Sequence, residues 1–214
     1  FNSKSVWARI SVIVAGPIFN LVLAWILCFI MVAWVGYHPT VISGTQEGYS
    51  AEEAGMREGD VITKVNGRHV YLWDEISLYN ILNMDGEKME ITYERGGEET
   101  TVVLEPRMLG DDAYPRLGIT GKGERERPGI LGTMQYALYT VRYWVNYTFE
   151  SLKMLVTGKV GIQQMSGPVG IVNMVDETYQ QSIAINIQTT VLSMMTLAIL
   201  VTANLGIMNL LPIP

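Results

Sequence analysis

The apolar and polar positions divide the chain into two uncharged ends and a charged middle. Ile10 to Gly36 is a run of 27 residues without Asp, Glu, Lys or Arg. As a helix it would be roughly 40 Å long at ~1.5 Å per residue, more than the ~30 Å hydrocarbon core of a bilayer. The pattern predicts a transmembrane helix over 10–36. The run is too long for a signal peptide and no small-residue cleavage site follows it. Lys4 and Arg9 make 1–9 a basic flank, which favours retention on the cytoplasmic side and delivery of Tyr37 onward to the far side. Within the span Gly16, Pro17 and Asn20 interrupt the apolar monotony. Pro17 removes a helix hydrogen bond and Asn20 needs a partner inside lipid. A kink packed on a neighbouring helix and a functional break both fit these three residues.

Across 37–109 the texture is that of a small soluble α/β domain. Thr40 to Gly44 reads as a strand, Ala51 to Ala54 as a brief helix closed by Gly55, and Asp60 to Val65 as a strand ending in the Asn66-Gly67 turn. Leu72, Ile76, Tyr79 and Leu82 predict a helix from Tyr71 to Met84. Met89 to Glu94 and Thr101 to Glu105 form a hairpin around Gly96-Gly97. The Gly- and Pro-containing stretch 110–131 reads as a connector with an extra strand at Arg116 to Thr120. Over 132–158 the spacing of Met134, Leu138, Val141, Val145, Phe149, Leu152 and Leu155 predicts an amphipathic helix with Gln135, Tyr139, Arg142, Asn146, Glu150 and Lys153 facing away. Its charges and aromatic residues suit an interfacial position, and packing on the soluble domain is the alternative. A pre-membrane segment, 159–181, leads to a second transmembrane helix in 182–214, whose charge-free run returns the chain to the cytoplasmic side.

Composition agrees with a membrane protein: 49% of residues are apolar and 17% charged. The net charge of −6 excludes nucleic acid as a partner, because phosphates are bound by basic surface. The region from Tyr37 to Leu109 holds 14 acids against 6 Lys and Arg, so it is not drawn to an anionic membrane surface. The lone cysteine, Cys28, excludes an internal disulfide framework. A transporter would need more spans and embedded charges, which the two apolar blocks lack. A chain that opens on Phe1 and stops at Pro214 inside an apolar run reads as an internal piece of a longer protein.

Four motifs carry a family resemblance. Ala15-Gly16-Pro17-Ile18-Phe19-Asn20, behind Phe1-Asn2-Ser3-Lys4-Ser5-Val6, resembles the second transmembrane segment of the bacterial site-2 proteases, intramembrane zinc metalloproteases of the regulator of sigma-E protease type. The stretch from Ala51 to Gly67, with Gly55, Gly59 and Asp60, resembles the signature of permuted PDZ domains in bacterial proteases. Ser166-Gly167-Pro168-Val169-Gly170-Ile171 is similar to the family's segment before the later transmembrane helix. Asn204-Leu205-Gly206-Ile207-Met208-Asn209-Leu210-Leu211-Pro212-Ile213-Pro214 resembles the front half of a motif that continues into Leu-Asp-Gly.

The resemblance implies an α-helical integral membrane protein with two transmembrane helices in these residues, an inserted α/β PDZ-like domain and an amphipathic interfacial helix. It also implies a multi-pass protein of the bacterial cytoplasmic (inner) membrane, with the PDZ-like domain on the extracytoplasmic side gating access. The implied activity is metalloendopeptidase cleavage of single-span membrane proteins, such as anti-sigma factors, within the bilayer. Zn2+ is implied as cofactor, held by an H-E-x-x-H helix and the Asp of Leu-Asp-Gly, neither of which is present; no catalytic residue or metal ligand falls in these 214 residues. The two histidines, His38 and His69, fit surface positions. Asn209, Pro214, Pro212 and Asn204 are the implied substrate-binding residues, and Gly16, Pro17 and Asn20 the implied active-site packing. Helix termination and interhelical bonding are the alternative for the amide and proline set. Thr40 to Gly44 is the expected edge strand of a peptide groove flanked by the helix from Tyr71 to Met84. A non-enzymatic, membrane-anchored PDZ scaffold on a degenerate protease fold is the other function compatible with these residues.

Overall fold

The computed structural model describes residues 5–110, 112, 114–158 and 168–210, with side chains of 168–171 left aside. The chain divides into two compact units, Val35–Gly129 and the pair of segments Phe1–Trp34 and Ile130–Pro214.

The helical unit contains α1 (Val6–Val35), α4 (Ile130–Val156), α5 (Pro168–Ile183) and α6 (Ile187–Met208). Among the described residues α1 and α6 are long and apolar enough to cross a membrane, with mean hydropathy 2.5 and 2.0. α1 stays helical through Pro17. α6 begins at Asn186, whose side chain accepts the Thr189 N–H at 2.8 Å and so satisfies one of the free donors of the first turn. α5 occupies much of the stretch expected as a pre-membrane segment. Pro168 stands at its first position, where a missing N–H costs nothing. Cys28, Ala137 and Ile199 are buried together, with Trp25, Phe29, Val141 and Trp144 around them.

The other unit contains β1 (Ile42–Thr45), α2 (Ser50–Glu53), β2 (Val61–Val65), β3 (Arg68–His69), α3 (Trp73–Leu82), β4 (Met89–Arg95), β5 (Glu98–Leu104) and β6 (Ile119–Gly121). Four antiparallel strands form a sheet in the order β3-β2-β4-β5, and β1 pairs with β6 in a second, two-stranded sheet. Asn66 and Gly67, at φ 49° and 73°, make the tight turn between β2 and β3. Ile91 lies opposite Val65 on β2 and Val102 on β5. With Ile42, Met56, Ile62, Ile76, Met89 and Leu104 these residues build the core. α3 starts where Glu75, itself buried, accepts the Tyr71 and Leu72 N–H groups at 2.7 and 3.2 Å.

The stretch expected as a connector over 110–131 thus belongs largely to this unit. The extra strand is present as β6, and Tyr37 and Glu126 close the unit with reciprocal backbone bonds of 3.0 and 2.9 Å.

Candidate functional site

Each unit holds one concentration of the residues singled out by sequence. In the helical unit it lies where α1 and α6 meet. Pro17 is buried, and α6 presents Gly206 to it. A Cβ on Gly206 would stand 3.2 Å from the Leu21 side chain and 3.4 Å from the Pro17 carbonyl oxygen. The glycine permits the helices to approach at the turn where the proline removes a donor. Asn20, one turn beyond Pro17, is half-buried, whereas Gly16 is exposed with open space around it.

Asn204 and Asn209 do not share a face. Asn204 is half-buried inside regular helix, and its Oδ1 accepts a hydrogen bond from Thr148 Oγ1 of α4, a hydroxyl also 2.9 Å from the Trp144 carbonyl. α6 does not break at Asn204 but continues to Met208. Asn209 caps it at φ −71°, ψ −17°, its N–H bonded to the Leu205 carbonyl at 3.1 Å and its side chain exposed. Five residues on a helix turn about 140°, so one amide is committed to α4 and the other is exposed. Pro212 and Pro214 lie outside the described residues, as do Ser166 and Gly167 of the motif that starts there. Sequence reasoning did not mark Thr148 or the role of Gly206.

In the α/β unit, Gly55 and Gly59 adopt φ 71° and 90°, and Asp60 is 1% exposed. Arg95 Nε and Nη2 donate to the two Asp60 oxygens at 2.6 and 2.7 Å, the Arg57 N–H adds 2.8 Å, and Arg95 Nη2 also reaches the Gly55 carbonyl at 2.9 Å. Burial pushes the Asp60 carboxyl up, but the Arg95 and Arg57 bonds outweigh it and hold the group below the ordinary range. This signature is therefore a clasp between the α2 turn and β4. Arg107 and Glu53 form a second, exposed bidentate pair at 2.8 and 2.6 Å.

The groove differs from expectation in its strand. β1 is covered by β6, so the free edge beside α3 is β6 and not Thr40 to Gly44. A cavity of about 370 Å3 lies between Trp73, Ile76, Ser77 and Asn80 on the α3 side and Arg116 to Gly121 on the other. Glycine is required at both ends of the β6 segment: a Cβ at Gly118 would lie 2.2 Å from Tyr49 and one at Gly121 2.3 Å from the Trp73 ring. Asn80 Oδ1 is buried without a hydrogen-bond partner and lines this cavity, an acceptor left for an incoming N–H. Tyr49 donates to Asp112 at 2.5 Å, and that bond first, with the Leu109 N–H and Arg116, holds the Asp112 carboxyl low.

The described residues do not fit a zinc site. Among them no group of three or more His, Cys, Asp or Glu could hold a metal. His38 Nδ1 faces Asp74 at 3.6 Å and its Nε2 accepts from Arg125 at 3.0 Å, while His69 stacks on Tyr71.

Comparison with known proteins places these features in a wider set. The sequence matches peptidase family M50 over residues 1–214. It is 34% identical over 220 residues to the zinc metalloprotease RasP of Shouchella clausii, covering 100% of this chain and 49% of that protein. It is 29% identical over 216 residues to the regulator of sigma-W protease RasP of Bacillus subtilis, again covering 100% and 49%. The chain spans about half the length of these curated relatives. A crystal structure of the PDZ domain of an SdrC-like protein from Listeria monocytogenes matches 41% of this chain and 90% of its own, at 21% identity and a TM-score of 0.36.

Proposed function

The chain belongs to peptidase family M50, and from that premise we propose that it is the substrate-handling part of an intramembrane zinc metalloprotease of the bacterial cytoplasmic membrane. In this reading α1 and α6 are transmembrane helices, and the chain between α1 and α4 lies on the extracytoplasmic side. The zinc ligands come from other segments of the full-length protein, and no chemical step is assigned to the residues described. The substrates are single-span membrane proteins of the anti-sigma-factor class, a reading supported by the sigma-W name of the Bacillus subtilis relative.

The observation that carries the proposal is the approach of α6 to Pro17 at Gly206, with Asn209 free at the helix end that follows. A transmembrane substrate keeps its carbonyls bonded within its own helix and must be locally unwound before a protease can cut it. An exposed amide, offering both donor and acceptor, can hold the backbone so released. Asn209 takes that role, with Pro212 and Pro214 beside it in sequence. Asn204 serves the fold instead, and Pro17 with Asn20 forms the packing behind, whereas Gly16 is exposed and takes no part in it. The PDZ-like α/β unit gates access through the groove between α3 and β6, which is shaped to accept an added strand.

The test is cleavage of a single-span substrate by the full-length enzyme in liposomes. Asn209→Leu should lower the cleavage rate at unchanged zinc content. Loss of zinc would point to a fold defect, and undiminished cleavage would remove Asn209 from substrate handling.

A further inference from the structure

The cavity between α3 and β6 changes character along its length. Trp73, Ile76, Ser77 and Asn80 recur at helical spacing, so a single face of α3 lines it. At the start of the helix the Trp73 ring lies against Gly121, where a Cβ would stand 2.3 Å from it. Asn80 follows seven residues later, roughly 10 Å along the helix axis at ~1.5 Å per residue. The strand needs three residues, from Gly121 back to Gly118, to cover about the same ~10 Å. Asn80 therefore stands level with Gly118. Gly86, just beyond α3, agrees with this alignment: a Cβ there would touch Pro115 at 3.6 Å. The groove thus runs from an apolar end, at Trp73 and Ile76, to a polar one, at Asn80 and Arg116.

The polar end lacks a donor. Asn80 Oδ1 is buried and has no hydrogen-bond partner among the described residues. The donors on the strand side are drawn elsewhere. Arg116 Nη1 donates to Asp112 at 3.3 Å, and the Tyr49 hydroxyl donates to the same carboxylate at 2.5 Å. A buried acceptor without a partner costs the desolvation of that group, and a ligand that brings an N–H or O–H recovers it. An ammonium is a poor choice, because the Arg116 guanidinium sets a like charge at the same end. A neutral hydroxyl or amide fits. Successive side chains on one face of a strand are about 6.6 Å apart, close to the ~6 Å of helix rise from Asn80 back to Ile76. The next side chain on that face therefore meets Ile76 and Trp73, where an apolar group is favoured.

Resting on the reading of this groove as the seat of an added strand, we propose that Asn80 determines which strand is held. The ligand is an extended peptide with a Ser, Thr, Asn or Gln side chain against Asn80 and an apolar side chain two residues along. A site built to bond a donor rejects the analogue that lacks it, because its own buried polar group is then left unpaired.

The test uses the full-length protein in nanodiscs and fluorescein-labelled nine-residue peptides, read by fluorescence polarisation. Thr, Gln, Val and Lys are placed at each position in turn of a host of alternating alanine and valine. Val and Thr differ by a methyl for a hydroxyl at nearly equal volume. At one position Thr and Gln should bind about 5–100-fold more tightly than Val, and Lys no more tightly than Val. Asn80→Leu should reverse the ranking of Thr and Val at that position while the Val peptide stays bound, and Asn80→Ala should level it. Equal binding of Thr and Val at every position overturns the role of Asn80, as does a preference that survives both variants; the groove itself would stand. Ser77→Tyr, which fills the cavity from α3, should abolish binding of every peptide. If no peptide binds, or if Ser77→Tyr changes nothing, the strand-accepting groove fails and the role of Asn80 fails with it.

Discussion

The two units bury opposite kinds of residue. In the α/β unit the large fully buried apolar side chains are Ile42, Ile62, Val65, Met89, Ile91 and Leu104, and the buried carboxylates Asp60 and Glu75 are held by Arg95 and by backbone N–H groups. In the helical unit the buried set is dominated by Ala24, Cys28, Thr133, Ala137, Thr140, Thr148, Thr190, Ala203 and Gly206. Trp7, Phe19, Leu131 and Ile187 of that unit are largely exposed. Both are well-formed tertiary structures made from one chain, and under the proposed reading of α1 and α6 as transmembrane helices the difference reflects the solvent each was built for. Water drives large apolar groups inward in proportion to their area. Lipid supplies no such force, and close approach through small residues and buried hydroxyls takes its place.

The largest effect that would sharpen this contrast comes from deleting side chains of similar apolar character in the two units. Ile91→Ala should cost about 2–5 kcal/mol, the range for a fully buried aliphatic residue whose cavity cannot collapse. Hydrogen exchange of the β2 and β4 amides should report it as lost protection. Phe19→Ala, at a position 78% exposed on α1, should stay within about 0.5 kcal/mol when the protein is in detergent. Comparable losses at both positions would break the contrast.

A smaller effect lies in the clasp of the α/β unit. Asp60→Ala leaves Arg95 and the Arg57 N–H without their acceptor and should cost about 1–3 kcal/mol at neutral pH. Because the folded Asp60 carboxyl is held below its ordinary value, its stabilisation is fully present above the unfolded pKa of about 3.9 and disappears as pH falls through the folded value. Acid denaturation curves of parent and variant should therefore begin to converge below about pH 4. A gap that persists unchanged to the lowest pH would mean that the ion pair is not its source.

The sequence made one unit far more legible than the other. The Asn66-Gly67 and Gly96-Gly97 turns and the spacing of Leu72, Ile76, Tyr79 and Leu82 are local signals, so β2, β4, β5 and α3 are found within a few residues of their predicted bounds. The covering of β1 by β6 was not legible, because it joins Ile42 to Gly121 across 79 positions and depends on Gly118 fitting under Tyr49. In the helical unit the apolar runs predict α1 and α6 and the apolar spacing predicts α4, but the buried positions of α4, Thr133, Ala137, Thr140 and Thr148, lie off the predicted stripe. Asn204 is the weaker substrate-binding candidate beside Asn209 in sequence, and its partner on α4 is what the sequence does not reveal.

The smallest effect tests that distinction. Thr148→Val keeps the volume and removes the hydroxyl that bonds to Asn204. Hydrogen bonds between membrane helices average only about 0.6 kcal/mol, because the separated helices find other partners. The variant should thus lose little stability in heat or denaturant titrations of the full-length enzyme in bilayers. Asn204→Leu should lose about the same, and the double variant should lose little beyond either, since one interaction is being removed twice. Additive losses in the cycle would show that the two residues act through separate contacts. Asn209→Leu should leave this stability unchanged, because its side chain is exposed at the end of α6. A destabilisation at Asn209 as large as that at Asn204 would return the two amides to one structural class and weaken the assignment of Asn209 to substrate.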